Sequence, residues 1–248
     1  LKSFFKMKNI GKVHFGSNQN YIPILEDRNS SDLYLIDSFF KNKNNFLKKF
    51  PIKTNDFIYY VETINELTTK DVNNLKTQIK KNNFIPERVI GIGGGTTLDF
   101  AKAISNLINN HGNAEDYQGW DLLKNKGVYK IGIPTLSGTG AESSRTCVMI
   151  NNKNGLKLGM NSEFTIFDEL ILDPVLSNSV PNNQYFYTGM DTFIHSFESL
   201  SGIHRHGMSD TYSEKAIDLV KEVFESKECK SIENREKLMI ASYFGGIA

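Results

Sequence analysis

The sequence predicts an α/β fold, with an N-terminal Rossmann-like parallel-sheet domain followed by an all-helical domain that is truncated in this chain. Through about the first 150 residues, short apolar runs alternate with amphipathic helical segments. Because strands joined by helices pair in parallel through right-handed crossovers, this order indicates a parallel sheet covered by helices. After Asp173-Pro174, three helical segments follow with no strand between them. We therefore predict an α/β domain in residues 1–175 and the start of a helical domain in residues 176–248.

Seven apolar runs in the first part have the length and composition of strands. They are DLYLID (32–37), FIYYV (57–61), RVIGIG (88–93), VYKIGIP (128–134), TCVMI (146–150), GLKLGM (155–160) and FTIFDELIL (164–172). Helical segments follow the first three runs, near residues 38–50, 68–84 and 96–110. In the second of these segments, Val72, Leu75 and Ile79 fall on one face, as a helix packed on a sheet requires.

The second part reads as three helices, at residues 180–200, 208–226 and 231–248. Pro181 suits the first turn of the first helix, because proline lacks the N–H that a first turn leaves unbonded. Ser209 and Ser231 are the predicted N-caps of the other two helices.

The first of these helices carries an aspartate and a histidine one turn apart. Asp191 and His195 are four residues apart, so both side chains can bind one metal ion. Glu198 lies on the same side of a helical wheel. The opposite, apolar arc consists of Phe193, Ile194, Phe197 and Leu200. From the pattern alone, half of a metal site and an ordinary solvated face are both open interpretations.

Composition and charge exclude several classes of function. The formal net charge of +1 gives no electrostatic basis for a nucleic acid or an anionic membrane as partner. The two cysteines, Cys147 and Cys229, have no CxxC spacing, which suits a reducing compartment. No apolar run approaches the roughly 18 residues of a membrane span. A cytoplasmic location is the resulting expectation.

A glycine-rich turn follows the predicted strand RVIGIG. GIGGGTTLDFAKA (91–103) places Gly93, Gly94 and Gly95 before an amphipathic helix. Glycines let a backbone approach a phosphate, and helix N-terminal N–H groups bind the anion. The spacing differs from the GxGxxG of dinucleotide sites, so a tight turn without a ligand is the alternative.

A second loop of small and hydroxyl residues, IPTLSGTGAESS (133–144), follows the next predicted strand. Thr135, Ser137 and Thr139 offer hydrogen-bond donors and acceptors, although a solvated loop is an equal alternative. Asp37 ends the strand DLYLID, where a carboxylate can bind ribose hydroxyls and favour NAD over NADP, or simply cap the following helix. Ligands of parallel sheets bind at the carboxyl ends of strands, so these turns together favour a nucleotide site.

The motifs GGGTTLDFAKA, PTLSGTGAESS, LDP and GMDTFIHSFES occur in an order that resembles the iron-containing alcohol dehydrogenase family. The resemblance runs from about Lys12 to the end of the chain and implies a dehydroquinate-synthase-like fold. In that family, the helix bearing Asp191 and His195 lies across an interdomain cleft, which favours the metal interpretation over the solvated face.

The resemblance implies a role for each matching position. Asp37 would contact the adenosine ribose, and Lys157 the nicotinamide ribose. Asp191 and His195 match the first two of four metal ligands, usually one Asp and three His residues. The pyrophosphate would lie against Gly93, Gly94, Gly95 and Thr96, with Asp99 nearby. The nicotinamide half would be lined by Thr135, Ser137, Ser144, Thr146 and Val148.

The same resemblance implies an oxidoreductase that transfers hydride from an alcohol to NAD with a divalent metal, Fe²⁺ or Zn²⁺, in a homo-oligomer. Stretches such as EDYQGWDLLKN and QYFYTGMDTFIHSFESLSG resemble the branch that oxidises the primary alcohol at C8 of a sugar acid, 3-deoxy-D-manno-octulosonate, for lipopolysaccharide biosynthesis. Oxygen is an alternative final electron acceptor. Another small alcohol or polyol as substrate, a sugar-phosphate cyclase of the same fold, and a non-catalytic NAD-binding fragment are the alternative functions.

The remaining two metal ligands of the family lie in later helices. Family members continue for roughly 100 or more residues, the scale of another small domain. We therefore expect this chain to be a fragment, with no catalytic residues beyond Asp191 and His195 as metal ligands. We also expect it to bind divalent metal weakly by itself. Tight, stoichiometric binding that Asp191→Ala abolishes would contradict this expectation.

Overall fold

The computed structural model describes residues 8–17, 21–27 and 31–248. Within these residues, the strands are β1 (Lys12–Phe15), β2 (Asp32–Asp37), β3 (Phe57–Val61), β4 (Arg88–Gly93), β5 (Gly119–Trp120), β6 (Tyr129–Pro134), β7 (Thr146–Ile150), β8 (Lys157–Asn161) and β9 (Glu169–Leu172). The helices are α1 (Ile22–Leu25), α2 (Asn44–Leu47), α3 (Thr69–Lys81), α4 (Gly95–Ile108), α5 (Asn182–Ser201), α6 (Gly207–Glu225) and α7 (Ile232–Ile247). Short 3₁₀ segments occur at Ser38–Phe40, Ala114–Tyr117 and Pro174–Ser179.

Six strands form a parallel sheet in the order β1-β9-β6-β4-β2-β3. Strands β5, β8 and β7 form a separate small sheet, in which β7 and β8 are antiparallel. The α/β fold predicted from the alternation of strands and helices is confirmed. The β7–β8 hairpin of the small sheet follows β6 in the chain, whereas β5 precedes β6. Strand β7 contacts α4, which begins directly after the carboxyl end of β4.

Both faces of the large sheet are buried, because its central strands are apolar at consecutive positions. Leu33 and Leu35 of β2 face α3 and α4, where they pack with Val72, Leu75 and Ile104. Side chains of the opposite face belong to a second cluster with α1 and α2, which includes Tyr34, Ile36, Ile90, Ile92 and Ile131. This alternation follows from the two-residue repeat of a strand.

The three C-terminal helices pack against one another around an apolar cluster of their own. Its buried members are Tyr185, Ala216, Leu219, Val220, Val223, Leu238 and Ala241. Ser231 caps α7 by accepting a hydrogen bond from the Asn234 N–H, as predicted. None of the helices in the described parts of the chain is long and apolar enough to cross a membrane.

Helix starts differ from the prediction at two positions. His206, not Ser209, is the N-cap of α6: its ring accepts from the Ser209 N–H, while the Ser209 hydroxyl accepts from the His206 N–H. Pro181 is the N-cap residue of α5 and precedes its first turn. Ser209 does take part in a capping box, but as the third residue of the helix and not as its N-cap.

Two predicted elements are shorter than expected. Residues 38–50 form a 3₁₀ turn and the four-residue α2, because Asp37 and the Phe40–Phe46 ring stack hold the chain in a compact turn. The predicted strand 164–172 begins only at Glu169, because the chain turns at residues 162–165, where the Thr165 N–H donates to the Ser162 carbonyl. Strands β1 and β5 were not predicted, since neither is apolar enough to stand out.

The apolar arc predicted for α5 is only partly buried, since Phe193 packs against the helical cluster and the other three members do not. Ile194 and Phe197 are 51% and 60% exposed, whereas the buried side of α5 consists of Tyr185, Thr188, Gly189, Thr192 and Ser196. Small residues face inward there because other segments approach the helix backbone closely. A Cβ on Gly189 would lie 2.5 Å from the Phe224 ring. Hydrophobicity alone therefore did not identify the small and polar residues that form most of the buried face.

Candidate active-site cleft

A cleft of about 520 Å³ lies between the carboxyl end of the large sheet, the β7–β8 hairpin and helices α5 and α7. Nine residues that the sequence predicted as site residues line it, namely Gly95, Thr96, Asp99, Ser144, Thr146, Val148, Lys157, Asp191 and His195. A second cavity of about 450 Å³ adjoins the cleft and shares Thr96, Glu66 and Leu67 with it. The structure therefore brings the glycine turn and the Asp–His pair to one concave surface.

The glycine turn leaves the start of α4 open towards the cleft. Gly94 is the N-cap of α4, and no side chain caps the helix. Gly93 packs so closely on α4 that a Cβ there would lie 2.6 Å from Thr97 Oγ1, and its carbonyl accepts from the Thr135 N–H at 3.0 Å. Uncapped N–H groups at a helix start, with Gly95 and Thr96 exposed to the cleft, fit an anionic phosphate group.

Asp99 lies one helical turn further along α4 and joins it to the β7–β8 hairpin. Its carboxylate accepts from the Val148 N–H at 3.0 Å. Burial raises the pKa of Asp99 to about 6, although the Lys102 ammonium opposes this shift. Lys102 is fully buried and donates to the Ser144 carbonyl, the Ser144 hydroxyl and the Thr146 carbonyl, all within 3.1 Å. Its pKa is lowered by burial. Lys102 thereby fixes the start of β7 against α4.

The loop after β6 forms part of the cleft wall through Thr139, Ala141 and Ser144, and two helices hold it in place. Ser242 of α7 donates to the buried Glu142 carboxylate at 2.7 Å and accepts from the Gly138 and Gly140 N–H groups. Thr192 of α5 donates to the Gly138 carbonyl at 2.7 Å. Burial raises the pKa of Glu142. These contacts hold the loop after β6 against α7 and against α5, the helix that carries the Asp–His pair.

Thr135 and Ser137, both predicted to line the nicotinamide half, are buried and do not line the cleft. Within the described residues, the Ser137 hydroxyl has no hydrogen-bond partner. Gly93 and Gly94 also lie behind the cleft surface, which Gly95 forms instead. Their predicted contacts with a cofactor stay predictions.

Asp191 and His195 both face the cleft from α5. Asp191 Oδ1 and His195 Nε2 are 3.5 Å apart, and both side chains are almost half exposed. Burial raises the pKa of Asp191, and the neighbouring His195 opposes this. Oxygen and imidazole nitrogen are ligands that Fe²⁺ and Zn²⁺ accept, so the pair fits a divalent ion as two of its ligands. Among the described residues, no group of three or more His, Cys, Asp or Glu residues could complete the shell.

Lys157 and Asp37 occupy different parts of the region. Lys157, the first residue of β8, reaches across the cleft mouth and forms an ion pair with Glu66. Asp37 Oδ1 accepts from the Phe39 N–H at 3.0 Å and from Thr63 Oγ1 at 3.4 Å. The capping alternative for Asp37 is therefore present. Asp37 lines neither of the two cavities, so its predicted contact with the adenosine ribose stays a prediction.

Sequence reasoning missed several cleft residues, among them Glu66, Leu67, Ala141, Gly245 and Gly246. Thr139, which the sequence offered as a donor or acceptor of the second loop, does line the cleft. Gly245 and Gly246 belong to α7, where a Cβ on Gly246 would lie 2.2 Å from the Gly140 carbonyl oxygen. The GG dipeptide late in an otherwise helical segment was the available signal, because glycine inside a helix indicates a close approach.

Comparison with known proteins agrees with this geometry. Residues 11–174 match the iron-containing alcohol dehydrogenase family, and residues 185–248 match the C-terminal region of the Fe-containing alcohol dehydrogenase family. Sulfoacetaldehyde reductase of Bilophila wadsworthia is 37% identical over 161 residues, which are 64% of this chain and 42% of that protein. The NAD-dependent methanol dehydrogenase of Bacillus methanolicus is 29% identical over 164 residues, 65% of this chain and 43% of that protein.

The fold has equally clear counterparts. The crystal structure of sulfoacetaldehyde reductase from Bifidobacterium kashiwanohense in complex with NAD⁺ superimposes with a TM-score of 0.84 at 24% identity, covering 99% of this chain and 67% of that one. The chain matches about two fifths of the length of its curated relatives. The family match is consistent with the parallel-sheet fold. It is also consistent with the cleft, where the glycine turn and the Asp–His pair meet. The chain belongs to the iron-containing alcohol dehydrogenase family.

Proposed function

We propose that this chain forms the NAD-binding part and two metal ligands of an oxidoreductase that transfers hydride between an alcohol carbon and C4 of NAD. In the oxidising direction, the alcohol and NAD⁺ give the carbonyl product, NADH and a proton. The observation that carries the proposal is the shared cleft, which has the start of α4 at one side and Asp191 with His195 at the other. A cofactor that spans it would present its nicotinamide to a substrate near the Asp–His pair.

The two adjoining cavities suit an extended dinucleotide. Both contain Thr96, so a pyrophosphate at the α4 N-terminus would lie at their junction. One nucleoside half would then extend towards the cavity that includes Tyr59 and Glu62, and the other towards Thr146 and Val148. Two relatives support NAD as the dinucleotide, one by its name and one by its bound ligand. Asp37 would disfavour a 2′-phosphate by charge repulsion.

The residues of the chain position and shield the reacting groups. Thr146 and Val148 present the hairpin surface on which the nicotinamide ring would lie. Lys157 would exchange its bond to Glu66 for one to the nicotinamide ribose. Asp191 and His195 would hold a divalent ion, which supplies Lewis acidity that lowers the pKa of the substrate hydroxyl. The protein would thus hold the hydride-donating carbon of the alcohol against C4 of NAD⁺, so that hydride transfer becomes an effectively unimolecular step.

For the substrate, we propose a primary alcohol of a sugar acid, the C8 hydroxyl of 3-deoxy-D-manno-octulosonate. The stretches around Trp120 and Asp191 that resemble 3-deoxy-D-manno-octulosonate 8-oxidase support it. A second candidate is the reduction of a short sulfonated aldehyde, favoured by the 37% identity to the sulfoacetaldehyde reductase. Both candidates are anionic.

The proposal is tested by NADH absorbance in the protein as its host makes it, loaded with Fe²⁺ or Zn²⁺. Accumulation of NADH with NAD⁺ and the sugar acid is the expected result, and formation of NAD⁺ from NADH with sulfoacetaldehyde would select the second candidate. A sugar-phosphate cyclase would regenerate its NAD, so no NADH would accumulate. NAD⁺ binding without any turnover on either substrate would leave a binding module and contradict the proposal.

A further inference from the structure

Trp120 is the single tryptophan of the chain, and it is 70% exposed. It ends the short strand β5 at the edge of the small sheet. An exposed indole offers a large flat apolar surface together with an N–H donor that a ligand can contact. The proposed hydride transfer gives this side chain no role.

The register of the small sheet places Trp120 on the same face as the cleft. Trp120 pairs with Asn161 of β8, and Asn161 pairs with Thr146 of β7. Residues paired across neighbouring strands share a face, so Trp120 lies on the face from which Thr146 and Val148 line the cleft. At a strand spacing of about 4.8 Å, the indole is attached roughly 10 Å from Thr146.

Few side-chain atoms protrude from the sheet surface between Thr146 and Trp120. Gly159 has no side chain, and a Cβ there would lie 2.6 Å from Thr146 Oγ1. The Asn161 amide donates to the Gly119 and Gly159 carbonyls, which holds it along the sheet. A ligand that starts in the cleft can therefore extend over this strip to the indole without displacing a bulky side chain.

Arg145 supplies a cation at the far end of the strip. Its guanidinium carbon lies 5.5 Å from the Trp120 ring centroid, and Nη2 donates to Asp121 Oδ1 at 2.7 Å. The side chain is 41% exposed. Within the described residues, Nη2–Asp121 is the one side-chain hydrogen bond of Arg145, and Nε has no partner. The backbone at Arg145 is held in place, since the Arg145 carbonyl accepts a hydrogen bond from the Ser162 N–H.

An open indole with an arginine over it has a defined recognition chemistry. The aromatic ring offers a flat apolar surface to the C–H groups of a sugar or polyol chain. The guanidinium fork binds a carboxylate with two hydrogen bonds. A short neutral alcohol has no group that reaches either residue, whereas a long hydroxylated acid has both.

We propose that Trp120 and Arg145 form the outer end of the substrate site and bind the carboxylate end of a long polyhydroxylated acid whose alcohol end lies beside Asp191 and His195. The inference rests on the proposed function, which it deepens by assigning two residues to the carboxylate end of the substrate. A sulfonate offers Arg145 the same oxyanion chemistry, but a two-carbon sulfonate has no hydroxylated chain to lie on the Trp120 ring. Asp121 tunes the subsite, because it competes with the substrate for the guanidinium.

Trp120 itself reports binding. We would titrate the protein with 3-deoxy-D-manno-octulosonate and follow tryptophan fluorescence, with Trp120→Phe defining the signal that Trp120 contributes. A saturable change is expected. Arg145→Gln should weaken binding of the acid about tenfold or more, because a charge-assisted hydrogen bond is lost. Arg145→Lys should recover part of that loss. Asp121→Asn should instead tighten binding several-fold, a direction that damage to the fold would not produce.

Ligand controls separate charge from shape. The matched polyol, with a hydroxymethyl group in place of the carboxylate, should bind weakly and equally to wild type and Arg145→Gln. Equal affinity of wild type and Arg145→Gln for the acid would overturn the proposal, as would a signal from sulfoacetaldehyde alone. NAD⁺ affinity, measured on the same samples, shows whether each variant keeps an intact cofactor site. Absence of NAD⁺ binding and of turnover in wild type would refute the proposed function itself.

Discussion

Thr192 Oγ1 donates a 2.7 Å hydrogen bond to the Gly138 carbonyl, and this bond joins helix α5 to the loop after β6. Thr192 and Ser196 face the loop and α7, whereas Asp191 and His195 of the same helical turns face the cleft. This bond restricts the rotation of α5 about its own axis, because Thr192 must stay turned towards the Gly138 carbonyl. Thr192 therefore sets the direction in which the Asp–His pair points.

Replacing Thr192 by valine keeps the shape of the side chain and removes the hydroxyl. The Gly138 carbonyl then loses a buried partner, which should lower the free energy of unfolding by about 1–3 kcal/mol. Urea denaturation measures this change. Thr211→Val is the matched control, because Thr211 bonds only the Gly207 carbonyl on the exposed side of α6. Equal effects of both changes would contradict the role given to Thr192.

Gly140 meets Gly246 at the contact between the loop and α7. Gly140 has φ of +65°, and a Cβ there would lie 2.5 Å from Gly246 Cα. Gly140→Ala should therefore destabilise the protein by about 2–4 kcal/mol, through both strain and overlap. Gly207→Ala is the control, since nothing lies within 4 Å of a Cβ there. A thermal midpoint of Gly140→Ala equal to that of the control would show that the loop and α7 are not in contact.

Asp99 should make the stability depend on pH. Burial raises its pKa to about 6 in the folded protein, against about 3.9 in an unfolded chain. Between these values the folded protein holds a proton that the unfolded chain releases, so stability should fall as pH rises from about 4 to 6 and then level off. The fall is about 3 kcal/mol at most. Asp99→Asn should flatten this part of the profile, whereas the exposed Asp218→Asn should leave the wild-type slope.

Lys157 should contribute to cofactor binding and little to stability. It lines the cleft and is half exposed, so its ion pair with Glu66 is worth at most about 1 kcal/mol. Lys157→Met should weaken NAD⁺ binding roughly tenfold, the size of a lost hydrogen bond to a charged group. Lys153 of the same hairpin pairs with Glu115 away from the cleft, so Lys153→Met should bind NAD⁺ like wild type. Calorimetric titration of both variants with NAD⁺ measures these affinities, and equal affinities would contradict the role given to Lys157.

The sequence predicted the parallel sheet and most of the cleft because both depend on local signals. Apolar runs such as DLYLID and the glycines before α4 have few other structural uses. The buried face of α5 was not predictable from hydrophobicity, since it depends on how closely Gly138 and Phe224 approach the helix. Glu66 and Gly246 enter the cleft through long-range packing, which a periodic pattern does not encode.

The central claim is that NAD binds where the α4 N-terminus meets the Asp–His pair. Calorimetric titration with NAD⁺ tests it most directly, on wild type, Gly95→Ala and the control Gly207→Ala. Gly95 lines the cleft, and a Cβ there would lie 3.0 Å from Thr139 Oγ1, so the added methyl group obstructs the approach of a phosphate. The account predicts one saturable site per chain that Gly95→Ala weakens about tenfold or more and Gly207→Ala leaves intact. Wild-type protein that shows no saturable binding, or a Gly95→Ala variant that binds NAD⁺ as tightly as wild type, would contradict it.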